Sequence, residues 1–263
     1  MINIKKAQEE FINFLNSYDD KSKLGFELKQ KHTYRVMKLS KVIAEKLNLS
    51  KEEVMISKLI ALLHDIGRFD EITFFNQFNS AKFDHASQGI KILFENNKIR
   101  NFIKSDKYDE IIKKSILYHS LKELPNNLNE DELIQAKIIR DADKLDNLKF
   151  RINTKAEKCF PGNLKNKFDV ENASINDKVY KSMMNQECVN VKDRESALDL
   201  FICVLGFIYD LNFKESLEIV KENDYVNKLI DKFKYNKEET KEKMENIRNC
   251  LNNYIEEKLR SKI

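Results

Sequence analysis

The 263-residue chain holds only four histidines, His32, His64, His85 and His119, and three aspartates, Asp141, Asp143 and Asp146, crowd into the string RDADKLDNL. His64 is followed directly by Asp65 at the end of the apolar run MISKLIALLHD. Imidazole nitrogens together with carboxylate oxygens suit first-row metals such as Fe, Mn, Co, Ni or Zn, whereas Mg prefers all-oxygen sites. Helical spacing puts Ile112, Ile116 and His119 on one face and Ala136, Ile139 and Asp143 on another. A carboxylate on such a core-facing stripe is costly unless it is paired or holds a metal. Buried groups of this kind are therefore either paired within the core or bound to a metal.

Helices must position these groups. Periodicity predicts helices over 3–17 and 26–48, the second turning Val36, Leu39, Val42, Ile43 and Leu47 to a core. Ser50 with Glu53 fits a capping box, so a helix starts at Lys51 and runs to about Asp65, apolar nearly all round and hence buried. Gly67 falls where a left-handed residue would stop it. Residues 70–83 read as irregular, a lid or short helices, and the cluster Phe69, Phe74, Phe75 and Phe78 as core packing. Asp84 caps a helix over 85–96, another spans 107–120, and Asn129 with Glu132 opens one over 131–150. Residues 151–175 read as a long connection. Helices near 176–188, 194–211, 214–222, 224–234 and 237–260 follow, the last a packed terminal helix with a dimer contact as the lesser reading.

Composition agrees with an all-α fold. Five glycines and two prolines are too few for a turn-rich β-protein or a glycine-rich nucleotide loop. The formal charge of +4 is spread over 47 basic and 43 acidic residues, which argues against a nucleic-acid partner and for a soluble surface. Cys159, Cys188, Cys203 and Cys250 form no C-x-x-C pair and read as reduced thiols. The N-terminus MINIKKAQEEF lacks the apolar core of a secretory signal. Ala197 to Leu211 is too short to span a membrane, so it reads as a buried core helix. A cytoplasmic protein without a membrane partner is the expectation.

The strings KHTYRV, LLHDIGRFD, FDHASQGIKIL, ILYHS and RDADKLDNL, in this order, resemble the HD superfamily of metal-dependent phosphohydrolases over about residues 22–150. The resemblance implies a compact helical HD domain over 1–150, with 151–263 a helical extension packed on it. It implies that His32, His64, Asp65 and Asp143 bind a first metal, and that Asp65 bridges to a second held by His85 and His119, where Mg is also an option. The activity implied is metal-assisted hydrolysis of a phosphate ester of a small molecule, a nucleotide or phosphomonoester, through a water activated by the metal pair. Asp65, Arg68 and Lys144 are then the candidate catalytic residues. Arg68, Lys144 and Arg35 are candidates, in that order, to contact substrate phosphate.

Competing readings are concrete. Arg68 could make a surface ion pair with Asp70 or Glu71. Asp141 and Asp146 fit helix-surface or supporting groups better than ligands. No GYP tripeptide follows His119, and HDIGRFDE lacks the HD-x-x-E-D pattern of alarmone hydrolases. The chain is also too short for the dNTP triphosphohydrolase architecture. The same six donors resemble those of HD-type di-iron oxygenases acting on polyols or phosphonates, and a non-catalytic helical signalling module is the third reading.

Overall fold

The computed structural model describes residues 2–19, 24–75, 83–156 and 167–261, and among these every regular element is a helix. The chain divides into two compact units, Met1–Asp143 and Lys144–Ile263.

The first unit opens with α1 (Ile4–Asn16), which Asn3 caps by accepting from the Lys6 amide. α2 (Leu24–Lys46) and α3 (Lys51–Leu63) pack side by side. The α3 capping box is present: Ser50 Oγ accepts from the Glu53 amide at 3.3 Å and Glu53 Oε2 accepts from the Ser50 amide at 2.8 Å. α3 buries Val54, Ile56, Leu59, Ile60, Leu62 and Leu63, which makes it the central element, although Met55 is exposed. α2 buries Val36, Met37, Ile43 and Ala44, but Val42 is exposed, because its position falls on the side opposite that stripe.

α4 (Arg68–Phe75) forms within the segment expected to be irregular. Asp70 and Glu71 in its first turn suit the helix dipole, and Phe69 anchors it between the Phe11 and Phe26 rings at 5.8 and 5.2 Å. Phe69 is the core residue of the predicted cluster. Phe74 and Phe75 are exposed instead, and Phe78 lies outside the described residues, as does the rest of the expected lid over 76–82.

α5 (His85–Ile90) starts behind the Asp84 cap and passes into a π-helical turn at Lys91–Glu95, so the predicted 85–96 helix changes pitch midway. α6 (Ile99–Phe102) and α7 (Asp109–Tyr118) follow. α8 (Glu130–Asn153) begins at a reciprocal cap, with Asn129 Oδ1 accepting from the Glu132 amide at 2.9 Å and Glu132 Oε2 from the Asn129 amide at 3.0 Å. Ser57 Oγ donates to Gln135 Oε1 at 2.7 Å and Lys114 to Glu132 at 2.6 Å, tying the start of α8 to α3 and α7.

Gly67 is not the left-handed stop that its position suggests. A Cβ there would lie 2.2 Å from the His85 carbonyl oxygen and 2.7 Å from the Gly89 nitrogen. The glycine is required because the turn after α3 presses directly on the first residues of α5. That approach sets His85 beside the His64–Asp65 doublet.

In the second unit, α9 (Lys167–Asn172) occupies part of the expected 151–175 connection, whose residues 157–166 lie outside the described residues together with Cys159. α10 (Asp177–Met184), α11 (Ala197–Leu205), α12 (Lys214–Glu222), α13 (Tyr225–Ile230) and α14 (Glu238–Arg260) complete it. α11 is buried along its whole length and continues as a 3-10 turn, Gly206–Asp210. α14 buries Thr240, Met244, Ile247, Leu251, Tyr254 and Ile255 and packs on α10, α12 and α13, as a terminal amphipathic helix should. Cys188, Cys203 and Cys250 are free thiols. No helix among the described residues is long and apolar enough to cross a membrane.

Candidate metal centre

His64 and His119 occupy equivalent places, the C-caps of α3 and α7. Each ring turns Nδ1 onto the carbonyl three residues back, His64 on Ala61 and His119 on Ile116, both at 2.7 Å. A carbonyl only accepts, so Nδ1 carries the proton, one of the helix's orphan carbonyls is satisfied, and Nε2 is left with a lone pair. His64 Nε2 is fully buried and has no hydrogen-bond partner. A lone pair fixed in direction by a bond to the other ring nitrogen is the usual preparation of a metal ligand.

Those lone pairs meet one carboxylate. Asp65 is buried, and its two oxygens serve different company. Oδ2 lies 3.5 Å from His32 Nε2, 3.5 Å from His64 Nε2 and 2.5 Å from Lys29 Nζ. Oδ1 lies 3.5 Å from His85 Nε2, 3.8 Å from His119 Nε2 and 3.5 Å from Arg68 Nε. Asp143 joins the Oδ2 side through its 3.1 Å contact with His32, and His85 and His119 approach each other at 3.1 Å on the Oδ1 side. His32, His64 and Asp143 each offer a ligand atom within 4.8 Å of the others, and so do His64, Asp65 and His119. All six predicted ligands thus come together from α2, the ends of α3 and α7, the start of α5, and α8.

Electrostatics keeps the donors in ligating form. Burial pushes the His64 imidazolium down to about 4 and that of His85 to about 3, and lowers His119 as well, against the pull of Asp65. All three rings are therefore neutral at pH 7. Burial alone would raise Asp65, but Lys29, His64, Arg68 and His85 outweigh it and hold the carboxyl well below its usual range. For Asp143 burial is likewise overridden, by the hydrogen bond and charge of His32 and then by His64.

The expected phosphate-contacting residues separate. Arg68 reaches the centre. Its ion pair with Glu71 is made at 2.6 Å, but Glu71 is fully buried, so this is no surface pair. Asp70 takes Tyr18 Oη at 2.5 Å and Gln88 Nε2 at 2.6 Å instead. Arg35 is half-buried. Lys144 belongs to the second unit, where its ammonium lies 3.0 Å from Asp210. Asp141 and Asp146 are fully buried, which rules out the helix-surface reading of both.

Lys29 is the site residue that sequence reasoning passed over. The signal was available, since Lys29 precedes His32 by three residues and shares its face of α2. A cavity of about 210 Å³ opens elsewhere, among Ser50, Glu52, Tyr108, Ile111, Asp131 and Ile134, and none of the six donors lines it.

Residues 30–148 match the family model of the HD domain, a segment that contains all six donors. Over that segment, a little under half of the chain, the protein is similar to the HD domain. HD domains bind divalent metals, and the donor chemistry of this site fits such an ion: buried neutral imidazoles facing depressed carboxylates, with one buried nitrogen that no protein group satisfies. No curated protein and no solved structure matches the chain significantly.

Proposed function

We propose that this protein is a metal-dependent phosphohydrolase that cleaves a phosphate ester of a small molecule, a nucleotide or phosphomonoester. The observation that supports this reading most is the division of labour on Asp65, where each oxygen faces two imidazole nitrogens and one cationic side chain. His32, His64, Asp65 and Asp143 would hold one divalent ion, and Asp65, His85 and His119 a second.

Bound there, such ions would supply Lewis acidity and a water of lowered pKa. The remaining work falls to side chains. The Ala61 and Ile116 carbonyls keep His64 and His119 in the tautomer that points Nε2 inward. Lys29 and Arg68 place positive charge on opposite sides of Asp65, suited to the oxygens of a phosphoryl group. The buried rings exclude bulk water, which strengthens these charges relative to solution.

The di-iron oxygenase reading uses the same donors, so the decisive experiment measures metal and product together. Elemental analysis of the purified protein is paired with a screen of phosphomonoesters, phosphodiesters and nucleotides for released phosphate, and with oxygen uptake. Phosphate release with Mn, Co or Ni supports the hydrolase. Iron with oxygen consumption, and no phosphate release from any ester, overturns it.

A further inference from the structure

Arg68 is the first residue of α4, and its guanidinium is gripped closely by Glu71 and only loosely by Asp65. Nη1 donates to Glu71 Oε2 at 2.6 Å, one turn along the same helix. Nε faces Asp65 Oδ1 at 3.5 Å, too far for a good hydrogen bond, and is buried with no hydrogen-bond partner. Glu71 is itself fully buried. A buried carboxylate is costly to keep, and a surface arginine has no need of one. The planar fork gives this pair a directional consequence: once Nη1 is fixed, the edge formed by Nε and Nη2 can face only one way. Here that way is the Oδ1 side of Asp65, shared with His85 and His119.

We propose that Glu71 is a positioning residue. It acts through Arg68, fixing the guanidinium so that the Nε–Nη2 edge is presented to a phosphate oxygen at the Oδ1 side of the centre. The buried Nε, which makes the loose 3.5 Å ion pair with Asp65 but no hydrogen bond, is the donor kept for that oxygen. The inference rests on the phosphohydrolase reading and extends it to a residue that touches neither metal nor substrate. Lys29 and Arg68 are then unequal: the ammonium is a point charge on Asp65, whereas the guanidinium is an oriented clamp whose direction is set by a carboxylate behind it.

The test is a double-mutant cycle read by binding of inorganic phosphate to the Mn-loaded protein in a titration calorimeter, with Mn stoichiometry measured on each variant. Glu71→Met keeps the volume but removes the acceptor. It should weaken phosphate binding about tenfold while the number of Mn ions stays the same. Glu71→Gln, which can still accept from Nη1, should recover most of that affinity. In an Arg68→Met background, Glu71→Met should cost nothing further. An unchanged phosphate affinity in Glu71→Met, or a loss of the same size with and without Arg68, overturns the proposal. Should Glu71→Met not fold, Glu71→Gln decides: a small loss that vanishes in the Arg68→Met background supports it, and one that persists there overturns it. A wild-type protein that loads Mn yet neither binds phosphate nor releases it from any ester overturns the phosphohydrolase reading, and this proposal with it. Normal wild-type binding with indifferent variants overturns the positioning role alone.

Discussion

Asp65 and Asp199 are buried to nearly the same degree, 3% and 1% exposed, and they are held in opposite ways. Asp199, in the second unit, accepts backbone amides: Asn176 on Oδ1 at 3.0 Å, and Glu195 and Ser196 on Oδ2 at 3.1 and 2.9 Å. It closes the capping box of α11, and its burial is explained by groups near it in the fold. Asp65, in the first unit, takes no backbone amide among the described residues. Its neighbours are four imidazoles and two cationic side chains brought from α2, α4, α5 and the ends of α3 and α7. Depth of burial therefore does not distinguish a carboxylate satisfied by the backbone from one surrounded by candidate metal ligands. What distinguishes them is whether the chain's own amides satisfy the oxygens or lone-pair nitrogens converge on them.

The comparison breaks first if Asp65 can be dispensed with. Asp65→Asn keeps shape and removes the charge that both proposed ion positions share. Loss of metal from both, and a fall in phosphate-ester turnover of about a thousandfold or more, are expected. Helical content by circular dichroism should be retained. A variant that loads metal and turns over like wild type would show that Asp65 is as structural as Asp199.

Acid offers a second way to test the same contrast. In the unfolded chain histidines titrate near 6.5, whereas burial holds His64 at about 4 and His85 at about 3 in the folded protein. Below pH 6.5 the unfolded chain takes up protons that the folded rings refuse. The stabilising contribution is therefore complete above 6.5 and is lost as pH falls toward 4. For His64 alone the loss amounts to roughly 3 kcal/mol. Asp65 and Asp143 are depressed carboxylates, so their contribution is lost only at lower pH. Thermal melts with chelator present, from pH 7.5 to 4.5, should show Tm falling through this window, and His64→Gln should flatten the slope. A profile that is level down to pH 4.5 would contradict the buried neutral rings.

The close approach at Gly67 sharpens the comparison from the backbone side, because convergence on Asp65 depends on it and the Asp199 cap does not. Gly67→Ala drives a Cβ into backbone atoms at 2.2 and 2.7 Å and should cost about 3 kcal/mol, with His85 displaced and the Oδ1-side metal weakened. Gly89→Ala meets a flexible Ile66 methyl at 3.3 Å and should cost less than about 1 kcal/mol. Denaturant melts and metal stoichiometry check both, and equal costs at the two glycines would refute the argument.

Much of this was legible in the chain itself. The caps at Ser50, Asp84 and Asn129 are local chemistry between residues three apart, and all three appear as expected. The six donors were found because histidine is scarce and each one falls in an ordered string. Lys29 was missed for the opposite reason. Among 47 basic residues a lysine carries no information until the direction of its helix face is known. Gly67 was located correctly but for the wrong cause, since a turn stop and a close approach ask for the same residue and only the position of α5 separates them. Glu71 entered only as a surface partner for Arg68, because its burial is set by packing across α4 and not by its neighbours in sequence. The helix-surface reading of Asp141 and Asp146 fails for the same reason, which leaves the supporting-group reading.

Asp199→Ala is the counterpart that completes the comparison. Removing this carboxylate leaves the amides of Asn176, Glu195 and Ser196 without their acceptor and undoes half of a capping box. A lost cap and partly buried amides together should cost about 2 kcal/mol. Asp199→Asn should recover part of the loss through its remaining carbonyl oxygen. Metal stoichiometry and turnover should not change once the variant is folded. Asp65→Asn should show the reverse pattern, with function lost and helices kept. If Asp199→Ala instead lowered metal content while leaving the melting temperature alone, the rule that backbone-satisfied carboxylates are structural would fail in the protein that suggested it.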